Sequence, residues 1–236
     1  MHYLPSRIWL HILVLFFSIA LPPSLHAEQR PVVTFNKPMD TPQARFVIDV
    51  MTRVYGQIGY DLKLADFTHP QALNAANDGT FDGQLGRIAH IDYQYHNLVR
   101  VNYPLFRFQL VMLTRCEDCD INSLSSVAFR NGYPVGEQYL DEHRYSGQRI
   151  RIENIPAQLN LLAQQQVDAV IALDFHLKQV THGINQNRFH KHHLQDYFSY
   201  HYVHKRHEDK IPALLRAFEK LEREGVIQEL KQQYGL

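Results

Sequence analysis

The sequence predicts an α/β protein of two lobes with a cleft between them. Short segments rich in β-branched residues alternate with segments of helical periodicity, an order typical of parallel strands connected by helices. This alternation runs from residue 31 to 85, and it begins again at residue 127. Because each run is long enough to build a small core of its own, we expect two successive units that meet at a cleft.

The first unit contains three predicted strands and two predicted helices. Its elements are, in order, a strand at 31–35, a helix from 42 to 58, a strand at 60–64, a helix at 70–77 and a strand at 80–85. Thr41 followed by Pro42 marks a strong helix start, because a threonine N-cap accepts a backbone N–H and proline fits the first helical position. The segment Val99–Thr114 follows, and Pro104 within it favours two strand pieces over one central strand.

The second unit repeats this order and leads into a helical C-terminus. Its predicted elements are a strand at 127–129, a short helix at 137–143, a strand at 149–152, a helix at 156–166, a strand at 167–173, a helix at 175–180 and an extended piece at 197–203. Asp174 is placed to cap the helix that begins beside it. The amphipathic stretch 211–234 predicts two further helices separated at Gly225.

Residues 1–27 have the organisation of a secretory signal peptide. Arg7 supplies a positive charge, the run Ile8–Leu21 is almost entirely apolar, and residues 25–27 resemble a cleavage site. The apolar run is shorter than the ~20 residues that span a bilayer, which favours cleavage over an uncleaved anchor. We therefore expect a periplasmic protein that begins at Glu28.

The charge balance excludes some classes of partner. The chain has 24 basic and 24 acidic side chains, and loss of the leader removes one basic residue. Binding to nucleic acid would call for a marked basic excess, so no nucleic-acid partner is expected. We expect a monomer without a cofactor.

Two cysteines, Cys116 and Cys119, form the motif C-E-D-C. This spacing also occurs in redox centres and in half of a zinc site, but the chain contains no second pair, and disulfides persist in secreted proteins. The pair therefore favours a local disulfide that holds a turn.

Histidines are concentrated in the segment 190–207. They are His190, His192, His193, His201, His204 and His207. A zinc site requires ligands that converge on one point, and no cysteine or helical H-x-x-x-H spacing joins these residues. A polar surface strand is favoured over a metal site, which stays open as an alternative.

Several segments together resemble family 3 of the bacterial extracellular solute-binding proteins. The similarity lies in a helix followed by Gly-x-x-Asp at 73–83, in its second-unit counterpart at 156–171, and in the closing helices at 215–235. No segment is diagnostic alone; their order and spacing carry the resemblance. Members of this family bind amino acids or similar small polar solutes, and many deliver them to a membrane transporter.

The resemblance implies a two-lobed periplasmic-binding-protein type II fold with two crossing hinge segments. Residues 28–112 would form the first part of lobe 1, residues 113–196 would form lobe 2, and residues 197–236 would return to lobe 1. The crossings are expected near Phe108–Leu113 and Asp196–Tyr202.

The family pattern also implies which residues line the cleft. Amino-acid binders of the family carry an arginine that holds the ligand carboxylate where this chain has Tyr93 and Gln94. Arg87 is the candidate to replace that arginine, because its guanidinium suits a carboxylate. The alternative is that Arg87 is a solvated loop residue without contact to the ligand. Phe35 and Asn36 occupy the position of a stacking aromatic.

On the second lobe, the family's Gly-Thr pair is replaced after Gly132 by Tyr133 and Pro134, and Pro134 lacks an N–H donor. Tyr133 is then a candidate aromatic wall. At the position of the family's ammonium-binding aspartate this chain has Leu173, and Asp174 follows one residue later. For Asp174 the role of a helix cap is favoured over a contact with the ligand.

Two other functions remain open. Some relatives of this fold are dehydratases, and an enzyme would need a general acid or base, for which Asp174 and His176 are the candidates. A third possibility is a sensor partner that docks on a membrane receptor.

Overall fold

The computed structural model describes residues 29–67, 71–131, 134–180 and 188–236. The strands are β1 (Val32–Asn36), β2 (Asp61–Ala65), β3 (Gly83–Ile88), β4 (Leu98–Thr114), β5 (Ser126–Arg130), β6 (Gln148–Ile152), β7 (Ala169–Leu173) and β8 (His190–His204). The helices are α1 (Pro42–Gln57), α2 (Ala72–Asn77), α3 (Pro134–Glu142), α4 (Ile155–Ala163), α5 (Asp174–Gln179), α6 (Ile211–Arg223) and α7 (Val226–Tyr234). Within these ranges, no helix has both the length and the apolar character that crossing a bilayer requires.

Lobe 1 comprises β1–β3, α1, α2, α6, α7 and the parts of β4 and β8 that pack on them. β1 and β2 are parallel, and β3 pairs antiparallel with β8. Helices α1, α6 and α7 cover one side of this lobe, with Phe46 and Phe218 fully buried at the centre of the core. The C-terminal helices therefore pack on the same core as α1.

Asp82 ties the strands of lobe 1 together. Its Oδ2 accepts the backbone N–H of Thr34 at 2.6 Å, and its Oδ1 lies 2.6 Å from Nη2 of Arg206 and 2.6 Å from Nε2 of His207. Burial opposes ionisation, but these donors hold the pKa of the Asp82 carboxyl below its ordinary value. The carboxylate thus connects β1, the start of β3 and the turn that precedes α6.

Lobe 2 comprises β5–β7, α3–α5 and the other ends of β4 and β8. β5 lies between β6 and β7 and is parallel to both, which confirms the parallel strands predicted from the alternation. One core contains Phe129 and Leu140, and a second core on the opposite side of the sheet contains Leu159 and Val170.

Two long strands pass from one lobe to the other. β4 and β8 pair antiparallel, and Phe106 on β4, which pairs with Ser199 on β8, packs against the cores of both lobes. Leu110–Thr114 of β4 pairs with β7.

β4 is one continuous strand, so the prediction of two strand pieces in this segment is wrong. The effect of Pro104 is local: the register with β8 is irregular on both sides of it. A proline cannot donate to the ladder, and an irregularity at that position absorbs the missing hydrogen bond without ending the strand.

Other local predictions agree with the structure. The Thr41 side chain accepts the N–H of Ala44 at 3.1 Å and α1 begins at Pro42, as predicted. Gly225, with φ of 79°, separates α6 from α7, because a residue with a Cβ rarely adopts that conformation. Cys116 and Cys119 form the predicted disulfide. The predicted leader 1–27 lies outside the described residues.

Candidate ligand-binding cleft

A cavity of about 370 Å³ lies where the two lobes meet. The first turn of α1 and the end of β3 line it on the lobe 1 side, and the starts of α3 and α5 line it on the lobe 2 side. Its floor comes from the crossing strands through Phe106, Phe108 and Ser199. Pockets of this volume hold small organic ligands.

A smaller cavity of about 130 Å³ continues the cleft into lobe 1. It shares seven lining residues with the larger one, among them Gln43, Gly86 and Arg87, and it extends to Asn36 at the end of β1. The cleft therefore has an inner part within lobe 1 and a wider outer part between the lobes.

Gly86 leaves room for the Ser199 side chain at the inner part of the cleft. A Cβ at position 86 would lie 2.9 Å from Oγ of Ser199, closer than unbonded atoms approach, so a larger residue would force the hydroxyl to move. Arg87 and Ser199 line the same cavity.

Aromatic rings form much of the cleft wall. Phe106 and Phe108 have ring centroids 5.8 Å apart, and Phe108 lies 5.8 Å from Phe175 in an edge-to-face arrangement. Tyr197 stacks on Phe108 with ring centroids 5.7 Å apart. These offset contacts hold the rings in place and give the cleft a rigid apolar surface.

Polar groups are concentrated in the inner part. Arg87 lines both cavities, and its Nη1 donates to the backbone oxygen of Gly86 at 2.9 Å. Gln43 and Asn36 line the inner cavity although each is only 7% exposed. The Oδ1 atom of Asn36 is buried and has no hydrogen-bond partner, which is uncommon in folded proteins and costs free energy unless a ligand or water supplies a donor.

His176 lines the outer cavity from α5 and is 4% exposed. Burial and the neighbouring Arg130 lower the pKa of His176 to about 4, so the imidazole is neutral at pH 7. Nη1 of Arg130 lies 3.4 Å from Nε2 of His176, which orients Nε2 as the acceptor. A base with this pKa accepts protons weakly at neutral pH, and this gives the dehydratase alternative no support.

Asp174 does not cap α5, and the prediction of a cap is wrong. Helix α5 has no side-chain cap bond, and Oδ1 of Asp174 instead accepts the backbone N–H of Gln109 on β4 at 3.0 Å. Its Oδ2 lies 3.7 Å from Nζ of Lys178. The described lining of the cleft includes Leu173 and Phe175 but not Asp174.

The structure separates the other predicted site residues into three groups. Arg87 and Asn36 line the cleft. Phe35 is fully buried in the core of lobe 1, where its ring meets His201 edge-on at 5.4 Å, so it offers no surface to a ligand. Tyr133 lies outside the described residues.

Sequence reasoning missed several lining residues, and one of them had a usable signal. Gln43 lies on the same face of α1 as Val47 and Val50, so it is a polar residue at an apolar position. A buried amide on a core-facing stripe needs a polar environment, and here it has one at the cleft. No comparable feature of the sequence indicated that Phe106, Phe108 and Phe175 line the cleft.

The histidine-rich segment 190–207 comprises all of β8 and the start of the turn that follows it. Among the residues of known position, no group of three or more His, Cys, Asp or Glu side chains is placed to hold a metal ion. His201 is buried in lobe 1, and His192 points its Nε2 to the backbone oxygen of Cys116 at 3.3 Å.

Comparison with known proteins identifies the fold. No protein-family model matches the chain. An uncharacterized protein of Shewanella oneidensis is 24% identical over 229 residues, which cover 91% of this chain and 87% of that protein.

Solved structures are similar over most of the chain. An ancestral amino-acid-binding protein, described as a precursor of cyclohexadienyl dehydratase, has a TM-score of 0.65 at 13% identity, covering 86% of this chain and 94% of its own. A substrate-binding protein of an ABC uptake transporter from Streptococcus pneumoniae, with bound histidine, has a TM-score of 0.65 at 14% identity, with coverage of 86% and 92%.

The GluR0 ligand-binding core from Nostoc punctiforme, in complex with L-glutamate, has a TM-score of 0.64 at 19% identity, with coverage of 86% and 98%. At these identities the similarity establishes the fold: this chain has the two-lobed architecture of type II periplasmic binding proteins.

Proposed function

We propose that this chain is a periplasmic solute-binding protein related to family 3, which binds a small organic solute in its interlobe cleft and releases it unchanged. The observation that carries this proposal is the cavity of about 370 Å³, which both lobes and both crossing strands line. The fold shared with amino-acid-binding proteins supports it.

Binding in this proposal depends on movement of the lobes about the crossing strands. Each lobe has its own hydrophobic core, and Phe106 and Ser199 mark the point where both strands leave one core for the other. Lobe 1 runs to the crossing near Phe106, lobe 2 runs from there to the crossing near Ser199, and the rest of the chain belongs to lobe 1. A solute that contacts both lobes stabilises the closed arrangement.

The proposal includes a location and a partner. The leader-like segment 1–27 supports export to the periplasm. One solved structure of this fold is the substrate-binding protein of an uptake transporter, which supports a membrane transporter as the partner that receives the solute. Two other proteins of this fold have structures with bound glutamine and with bound L-arginine, which supports small molecules of comparable size as ligands.

Thermal unfolding against a panel of amino acids, organic acids, amines and sugars tests the proposal. A ligand present at about 100 times its dissociation constant adds about 2.7 kcal/mol to the unfolding free energy. For a chain of this length we expect a rise in Tm of roughly 5–10 °C. A flat response across all classes would contradict solute binding.

A matched pair of variants locates the bound solute. Ala44 lines both cavities, whereas the next residue, Arg45, is exposed and lines neither. Ala44→Phe should fill the cleft and abolish the ligand-induced rise in Tm, while Arg45→Phe should retain it. A rise that persists in Ala44→Phe, with the unliganded Tm of both variants close to that of the wild type, would place the solute elsewhere.

A further inference from the structure

The charge of the cleft limits the kind of solute that fits. Among the lining residues that the structure describes, Arg87 is cationic and none is acidic. His176 is neutral, and Leu173 presents an apolar side chain where lobe 2 meets the cavity. The acidic residue next to Leu173 is Asp174. Its carboxylate accepts the backbone N–H of Gln109 and forms an ion pair with Lys178.

This balance disfavours an α-amino acid. Closure of the lobes would bury the ligand's ammonium group beside Arg87 without an acidic partner, and an unpaired buried cation is costly. A carboxylate is complementary in charge to Arg87, and its two oxygens match the guanidinium fork. Because no described lining residue complements an ammonium group, a net anion fits the lining better than a zwitterion does.

The inner part of the cleft also requires a hydrogen-bond donor. The Oδ1 atom of Asn36 is buried without a partner, and Asn36 shares the lining of the inner cavity with Arg87. A neutral amide oxygen is a good acceptor for a hydroxyl or an amide N–H. A donor group close to the carboxylate satisfies this atom.

The outer part of the cleft is suited to an apolar group. Phe106, Phe108 and Phe175 line the larger cavity together with Ile88 and Leu173. Burial of a ring or branched alkyl group against these side chains supplies affinity that does not depend on charge.

We propose that the solute is a monocarboxylic acid with an apolar or aromatic body, a hydroxyl or amide N–H near the carboxylate, and no ammonium group. Arg87 holds the carboxylate, Asn36 accepts the neutral donor, and the phenylalanine wall holds the body. This inference rests on the proposed function, because it names the class of ligand that the same cleft takes.

Isothermal titration calorimetry with matched acids tests the ligand class. The probes are 3-phenyllactate against L-phenylalanine, and 2-hydroxy-4-methylpentanoate against L-leucine, which differ in a hydroxyl or an ammonium group. We expect at least one hydroxy acid to bind, and to bind at least tenfold tighter than its amino acid. An amino acid that binds as tightly as its hydroxy acid, or tighter, would overturn the inference.

Variants test the two polar roles separately. Arg87→Gln should weaken hydroxy-acid binding at least tenfold, whereas Arg53→Gln, an exposed arginine on α1 outside the cleft, should leave it unchanged. Asn36→Leu should reduce the affinity for 3-phenyllactate to that of 3-phenylpropionate, which lacks the hydroxyl, and leave 3-phenylpropionate binding unchanged. Equal losses for both acids would refute the role of Asn36.

The unliganded Tm of each variant shows whether it folds, and Arg87→Lys provides a second variant that keeps the charge. We expect it to retain binding better than Arg87→Gln does. If amino acids, amines or sugars bind and no carboxylic acid that lacks an ammonium group binds, the inference is overturned and the proposed function stays intact. A flat response to every class would overturn the proposed function itself.

Discussion

Acid should destabilise this protein well before its carboxylates titrate, because two histidines are buried in uncharged form. His201 is fully buried in lobe 1, where Nε2 lies 3.0 Å from the hydroxyl oxygen of Tyr55, and His176 is 4% exposed at the cleft. Burial is the main cause that lowers the pKa of each to about 4.

The direction in which stability changes with pH follows from the number of protons bound in each state. A histidine in the unfolded chain has a pKa of about 6.5, so below that pH the unfolded state binds more protons than the native state. The free energy of unfolding is therefore independent of these groups above pH 6.5 and falls as the pH drops from 6.5 to about 4. At pH 5 each histidine contributes a loss of about 2 kcal/mol, and the two together about 4 kcal/mol because they lie in different lobes.

Urea unfolding at pH 7.5 and pH 5.0 measures this loss. The wild type should lose about 4 kcal/mol more stability between the two pH values than a variant that lacks both buried histidines. His201→Gln and His176→Gln should each recover about 2 kcal/mol of that loss, and His190→Gln, at an exposed position, should recover none. A buried-histidine variant with the same pH dependence as the wild type would refute the reasoning.

Three further predictions concern the fold and its export. Asp82→Asn should lower the unfolding free energy by about 2–3 kcal/mol in urea titrations, because it weakens a partly buried network, whereas Asp66→Asn at an exposed ion pair should change it by less than about 0.5 kcal/mol. An equal effect at both positions would contradict the role of Asp82. Reduction of the Cys116–Cys119 disulfide should cost no more than about 2 kcal/mol, since it closes a very short loop, and a larger loss on adding reductant would argue against a merely local role. Mass spectrometry of exported protein should find Glu28 at the N-terminus; a retained leader would contradict cleavage.

Local signals in the sequence predicted the elements of the fold well. Thr41 and Pro42 start a helix by chemistry that acts within four residues, and Gly225 ends one by its own backbone freedom. The alternation of strands and helices predicts the parallel pairs β1–β2, β5–β6 and β5–β7, but not the antiparallel pairing of β3 with β8. These signals need no knowledge of distant parts of the chain.

The site was harder to predict because it depends on contacts between distant segments. Asp174 has the sequence context of a helix cap, but the amide of Gln109, which lies 65 residues earlier, takes its carboxylate. Phe35 and Asn36 are adjacent in β1, so their side chains point to opposite faces of the strand. The packing of distant segments on these two faces puts the ring in the core and Asn36 at the cleft. Of the candidate site residues named from the sequence, Arg87, Asn36 and His176 line the cleft.

A distance measurement between the lobes tests the central claim most directly. Arg45 on α1 and Gln138 on α3 are exposed, and they follow helix starts that line opposite sides of the cleft. The two native cysteines are joined in a disulfide, so a spin label reacts with the new cysteines of the double variant Arg45→Cys and Gln138→Cys. Double electron–electron resonance then measures the distance between the two labels. We predict that a solute which raises Tm also shortens this distance. An unchanged distance at saturating solute would contradict closure of the lobes around the ligand.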